Sequence, residues 1–297
     1  MKLIPPVQID DAMLISSSIA ETDYPAWVSG ASYAQDALCM RSSTHSVYQR
    51  LIAGVGTTPP ESDPVNWIRK GPTNRWAAFD QAVGTASTGT DSISFTVAPG
   101  IVSAMAMLDL VGNEVTVVMT DDATEVYRKV VELNSNTNVI DGYTYCFEPI
   151  LMRTKAVLLD LPPVASGHIT VQVDGDGPVA LGTFAVGAAF DMGETRFGVE
   201  LGLIDYSVKT TDRFGATTFS ERPIADRMTV PFVVRNTNLD NVMRVLKSRR
   251  TKPSVWIGAT KFDSTVIYGL ARDARPLINY STVTECTVTI EGLVNAN

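Results

Sequence analysis

Histidine is nearly absent from this chain of 297 residues, which holds two, His45 and His168. A serine or cysteine nucleophile ordinarily recruits a histidine base. Neither His45 nor His168 sits in a nucleophile motif, and the sequence has no Gly-x-Ser-x-Gly elbow. Cysteine is scarce as well. Cys39, Cys146 and Cys286 are far apart and odd in number, which argues against a disulfide framework. They read as reduced, buried thiols of a protein folded in a cytosol. There is no Cys-x-x-Cys metal spacing and no glycine-rich phosphate loop ending in Lys-Ser/Thr. No run reaches the ~18 apolar residues of a membrane span. The opening MKLIPPVQIDDAML, broken by Pro5-Pro6 and followed by two acids, lacks the apolar core of a secretory signal. Positive charge is in deficit: 24 Lys and Arg against 32 Asp and Glu leave a net charge of −8. That balance disfavours a grip on nucleic acid, which needs a basic surface to displace counterions, or on an anionic membrane. Internal repeats and heptads are missing too, and a fibrous shaft would show them.

What remains is an ordinary globular composition. With 45% hydrophobic and 19% charged residues, the chain can bury a core, and its length suits two or three domains. Alternation of apolar and polar residues predicts strands at 93–97, 114–119 and 168–173, where Ile169, Val171 and Val173 oppose Thr170 and Gln172. Residues 104–110 are apolar on both faces and fit a central strand. Further strands are expected at 125–133, 142–147 and 156–161. Beyond a glycine-rich passage at 187–202 they continue at 202–211, 228–235, 254–259, 266–271 and 283–293. Short strands broken by turn residues are the mark of a sandwich or barrel. One helix is expected: Leu239, Val242, Met243 and Leu246 form an i, i+3, i+4, i+7 stripe. Thr237 and Asp240 suggest a capping box, Lys247, Arg249 and Arg250 suit the helix C-terminus, and Pro253 bars continuation. The fold class is therefore mainly β: a small aromatic-core β module, then a β-sandwich and a C-terminal β-rich domain with one α-helix. The expected divisions are an N-terminal arm at 1–21, the module at 22–72, the sandwich at 73–188 and a C-terminal assembly domain at 189–297.

The chain is organised around residues 27–80. Three of its four tryptophans, Trp27, Trp67 and Trp76, lie there. Short strand-like runs at 36–41 and 46–51 precede a loop rich in Gly, Thr and Pro. So short a segment has little surface-to-volume advantage, and a few large aromatic side chains must supply its core. Trp27, Tyr33, Tyr48 and Trp67 are the candidates.

The order Trp27, Tyr33, Asp36, Leu38, Tyr48, Pro59-Pro60 and Trp67 resembles the small chitin-binding type of carbohydrate-binding module. Gln35 replaces the turn glycine of that pattern. Gln49, Arg50 and Leu51 stand where such modules present an aromatic pair to sugar rings. The following GPTNRWAAFD adds a second resemblance, to tail-tip and baseplate proteins of tailed bacteriophages. Together these imply a virion structural protein of the tail, assembled in the host cytoplasm. Its partners would be other tail or baseplate proteins and further copies of itself, with host surface glycan a further contact. The alternative is a glycan-binding receptor protein or the accessory part of a polysaccharide enzyme. The residues such binding would use are Trp27, Tyr33, Tyr48 and Trp67.

The remaining candidates for chemistry have plainer readings. Paired carboxylates suit glycoside hydrolysis, but Asp121-Asp122, Asp205 and Glu221 read as acidic turn residues. The run Asp174-Gly-Asp176-Gly lacks the later acids of a calcium loop and reads as a tight hairpin turn. The basic group from Lys247 to Lys252 reads as a helix end or an ion pair between subunits. The expectation is a protein without catalytic residues, metal or cofactor. It would work as an oligomer, held by the arm at 1–20 and the region 187–297; the alternative is an arm that packs on its own subunit, in a chain that could then be a monomer. The arm carries Leu3, Ile4, Val7, Ile9, Met13, Leu14 and Ile15 with no evident place in a local core.

Overall fold

The computed structural model describes residues 1–135, 140–147, 151–211 and 213–294. It is mainly β, as the alternation predicts. Two large antiparallel sheets dominate, with a small aromatic module set beside them.

The first large sheet has seven strands. Its spine is His168–Gly187, a 20-residue strand. One edge of that strand pairs with Ser87–Val97. The other edge changes partner halfway, pairing first with Glu114–Asp121 and then with Ala104–Val111. The change falls where the register against Ser87–Val97 shifts, between Asp174 and Pro178. The Asp174-Gly-Asp176-Gly run is therefore a bulge inside one long strand, not the expected hairpin turn. An extra residue in a ladder bends the strand and increases its twist, which lets one strand serve both halves of a sandwich-like fold. The enclosed core includes Ile93, Phe95, Val117, Ile169 and Phe184. Phe79, Phe95 and Phe184 meet edge to face with centroids 5.2–5.6 Å apart.

The second large sheet has eight strands. Ile224–Arg235, Val283–Gly292, Val266–Leu277 and Ser254–Ile257 form its body. Helix Leu239–Ser248 covers one face with the predicted stripe: Val242 and Leu246 are buried, and Leu239 and Met243 pack against the same cluster. The helix starts after Asn238 with no side-chain cap, so the capping box expected of Thr237 and Asp240 does not form. Residues 236–238 are instead a short 3₁₀ turn that leads straight into the helix.

The two sheets share a third cluster. Ala104, Ala106 and Leu108 alternate with Met105 and Met107 along one strand. The first set faces Ile4, Val255, Ile257, Val266 and Tyr268 of the other sheet, and the methionines face the sandwich core. Alanines at this contact let the sheets approach closely. The strand 104–110 is thus apolar on both faces because both faces are buried.

The N-terminal segment departs most from expectation. Lys2–Ile4 lies between Phe190–Asp191 and Ser254–Ile257 as a strand of the eight-stranded sheet. Leu14–Ser17 pairs with Ser87–Val97 at the edge of the other sheet. Leu3 and Ile4 are fully buried, and Ile9, Leu14 and Ile19 nearly so. The arm at 1–21 is therefore part of the chain's own body. Its apolar residues looked unplaced because their partners lie some 190 and 250 residues away in sequence. Gly187 marks the crossing: a Cβ there would lie 2.2 Å from the Pro5 carbonyl oxygen, and Val7 N donates to Val186 O alongside.

Two smaller corrections follow. Residues 142–147 form a short helix rather than a strand. Asp141 stands before its start, its side chain accepting from Thr144 N at 2.9 Å, and such local bonds favour a helical turn. Cys146 is exposed, while Cys39 and Cys286 are buried. Burial pushes the Cys39 thiol up to about 11, against the opposing pull of Arg41 and Arg50, and it pushes Cys286 up as well. Because the thiolate is the reactive form, the native protein at pH 8 should show one fast thiol towards a chromogenic disulfide reagent. All three should react after unfolding in guanidinium, and three fast thiols in the native state would contradict this burial.

Candidate functional site

The sequence places its candidate residues in the module, and the structure brings all four together. Leu38–Arg41, Ser46–Arg50 and Trp67–Pro72 form a three-stranded sheet, with Ala31–Tyr33 paired to Gly54–Gly56 beside it. Cys39, Tyr48 and Trp67 make the core, and Trp27 and Tyr33 pack against it. Tyr33 meets Trp67 edge to face at 4.9 Å. The Tyr33 hydroxyl donates to Val28 O and accepts from Val28 N. The Tyr48 hydroxyl is 3.1 Å from Thr44 Oγ1.

This packing decides which rings could stack on a sugar. Trp67 is 2% exposed and Tyr48 5%, so neither has a face to offer, and both leave the list of sugar-binding candidates. Their rings supply the core that a segment of this size needs. Trp27 and Tyr33 are half-buried. Two arginines, missed from sequence, take further aromatic surface. Arg50 lies over the Trp67 ring and Arg41 over the Trp27 ring, each 4.9 Å from the centroid. Arg50 is itself buried, its Nε donating to Ile52 O at 2.6 Å, and Arg41 is paired with Glu61 at 2.8 Å. The available signal was Arg50's position, where the resembling modules carry an exposed aromatic. A guanidinium stacked inward closes the surface that such a ring would open.

The GPTNRWAAFD motif has a structural role of its own: it joins the module to the sandwich. Trp76 packs in the sandwich core and stacks on His45 of the module at 4.1 Å. His45 Nδ1 lies 3.0 Å from Glu21 Oε1. Its Nε2 is 2.9 Å from Asp11 Oδ1, close but not aligned as a hydrogen bond. Thr73 donates through Oγ1 to Glu21 and through its backbone N–H to His45 O. The Asn74 amide grips Thr88, with Nδ2 donating to Thr88 O and Oδ1 accepting from Thr88 N. His45 also adopts a positive φ of 48° in the turn between Leu38–Arg41 and Ser46–Arg50. Its contacts are those of a strut between two bodies.

His168 begins the long strand and is exposed. Asp121 and Asp122 sit at a hairpin turn of the sandwich sheet, and Asp205 lies on a strand paired to the other large sheet. Among the described residues, no group of three or more His, Cys, Asp or Glu is arranged to hold a metal ion. Nor is any helix among them long and apolar enough to cross a membrane.

Further exposed apolar side chains lie elsewhere, in the C-terminal region. Glu200–Asp205 pairs with the start of Ile224–Arg235, and after a break in the pairing a separate two-stranded hairpin follows, Val208–Thr211 against Thr217–Ser220. The result is an interrupted two-stranded ribbon. It exposes Leu203 (70%), Phe214 (83%) and Phe219 (72%). At its base an open cleft of about 500 Å³ is lined by Phe197, Val199, Leu201, Ala259 and Phe262. Phe197 is fully exposed on its rim. The expectation for this region was an assembly domain; the apolar ribbon tip and the cleft were not legible in its sequence. The region's last three residues, 295–297, lie outside the described ones.

No family model and no curated protein matches the chain.

Proposed function

We propose that this protein is a non-enzymatic structural component of a phage tail tip or baseplate, built to assemble with copies of itself and with neighbouring tail proteins. The observation that carries the assembly part of this reading is the ribbon of residues 200–229. It projects a row of apolar side chains into solvent, and exposed apolar patches of this kind mark interaction surfaces. The tail part rests on the resemblance of residues 27–80. The motif's role as a joint between module and body is consistent with that reading, since the joint holds a peripheral domain on an assembling core.

The second reading is a glycan-binding receptor protein, and the half-exposed rings of Trp27 and Tyr33 favour it. Sugar stacking needs open ring faces, and Arg41 already occupies one face of Trp27. The two readings separate in a paired experiment. Antibody labelling of purified virions in the electron microscope, with a pull-down of tail particles, should place the chain at the tail. A glycan array should show weak binding or none. Strong glycan binding without particle association would reverse the order.

A further inference from the structure

Every residue of Val208–Thr211 and Thr217–Ser220 is exposed. A two-stranded ribbon alone is at best marginally stable in water, and this one carries large apolar side chains on its surface. The same chain holds a separate apolar cleft at Phe197, Leu201 and Phe262. We propose that the ribbon of one copy seats in the cleft of a second copy, with Phe219 as the anchor. This deepens the homo-oligomer part of the function proposed above and rests on that part, not on the phage resemblance.

Two observations name a second copy as the occupant. First, the chain's own ribbon tip does not fill its own cleft: Phe219 is 72% exposed and is not among the residues lining the cleft. Second, the surface is large enough. Phe197, Phe214, Phe219 and Phe262 are all more than half exposed. At roughly 150–250 Å² for each aromatic side chain, with Leu201 and Leu203 added, the contact approaches the low end of a specific interface, about 1,200 Å² in total. Because ribbon and cleft are different patches, the contact is head-to-tail, and repetition closes a ring or extends a filament.

The test uses the full-length chain with Phe219→Asp on the ribbon and Phe262→Asp in the cleft, each followed by light scattering across a concentration series. A carboxylate forced into an apolar contact is strongly penalised, so each variant should associate at least about a hundredfold more weakly than the parent. An equimolar mixture of the two should recover a dimer, because one intact ribbon and one intact cleft remain. Circular dichroism should show both folded, since both side chains are exposed; Phe219→Ser and Phe262→Ser replace either variant that is not. A parent chain that stays monomeric throughout would overturn both the contact and the homo-oligomer reading. A parent oligomer indifferent to both substitutions, or a mixture that stays monomeric, would overturn this contact and leave the homo-oligomer reading standing.

Discussion

Deleting residues 1–20 should unfold the protein, not merely disassemble it. The deletion removes Lys2–Ile4 from between two strands of the eight-stranded sheet, and it also strips Leu14–Ser17 from the edge of the sandwich. Met1, Leu3, Ile4, Ile9, Leu14 and Ile19 leave with it, all buried. Leu3 and Ile4 matter most, because they belong to two different clusters. Leu3 packs in the core under the helix, and Ile4 packs in the contact between the two large sheets. Leu3→Ala alone should cost about 2–5 kcal/mol, a large share of the roughly 5–15 kcal/mol that holds a domain folded. Urea denaturation of Leu3→Ala should show its midpoint well below that of the parent. The truncated chain should be insoluble or lack a cooperative transition. A soluble, cooperatively folding truncation with only its assembly lost would restore the reading of residues 1–20 as an arm for a neighbouring subunit.

That reversal shows where the sequence was legible and where it was not. Strands whose apolar residues alternate were readable because the signal is local: Ile169, Val171 and Val173 predicted one face of a strand and form it. The helix was readable for the same reason, through Leu239, Val242, Met243 and Leu246. The aromatic core of the module was readable because few side chains could have formed it. Long-range pairing was not. Nothing near Leu3 or Ile4 announces Trp256 or Val255, the residues opposite them in the sheet. The bulge at Asp174–Pro178 was misread because Asp and Gly suit a turn and a bulge equally. Tyr48 and Trp67 were ambiguous for a related reason. An aromatic residue in a small domain serves either core or ligand, and only burial decides.

Trp67→Ala should melt the module and spare the rest. Trp67 is 2% exposed at the centre of a core that is separate from the sandwich core. It holds Tyr33 edge-on and carries Arg50 on its face. Truncation leaves a cavity and strips a buried guanidinium of its stacking partner, a loss of about 3–5 kcal/mol for a buried aromatic. A core of three buried side chains, Cys39, Tyr48 and Trp67, has little with which to absorb it. The contacts between module and body run through His45, Glu21, Thr73 and Trp76, and Trp76 also packs in the sandwich. The sandwich can therefore keep its own core when the module opens. Trypsin should then cut the variant at Arg41, Arg50, Arg69 and Lys70, while the N-terminal strands and the chain after residue 72 stay together and resist. That nicked complex should unfold thermally near the parent's main transition. A single transition that takes the whole chain down together would mean that the joint couples the two cores, and that residues 22–72 are not a unit of their own.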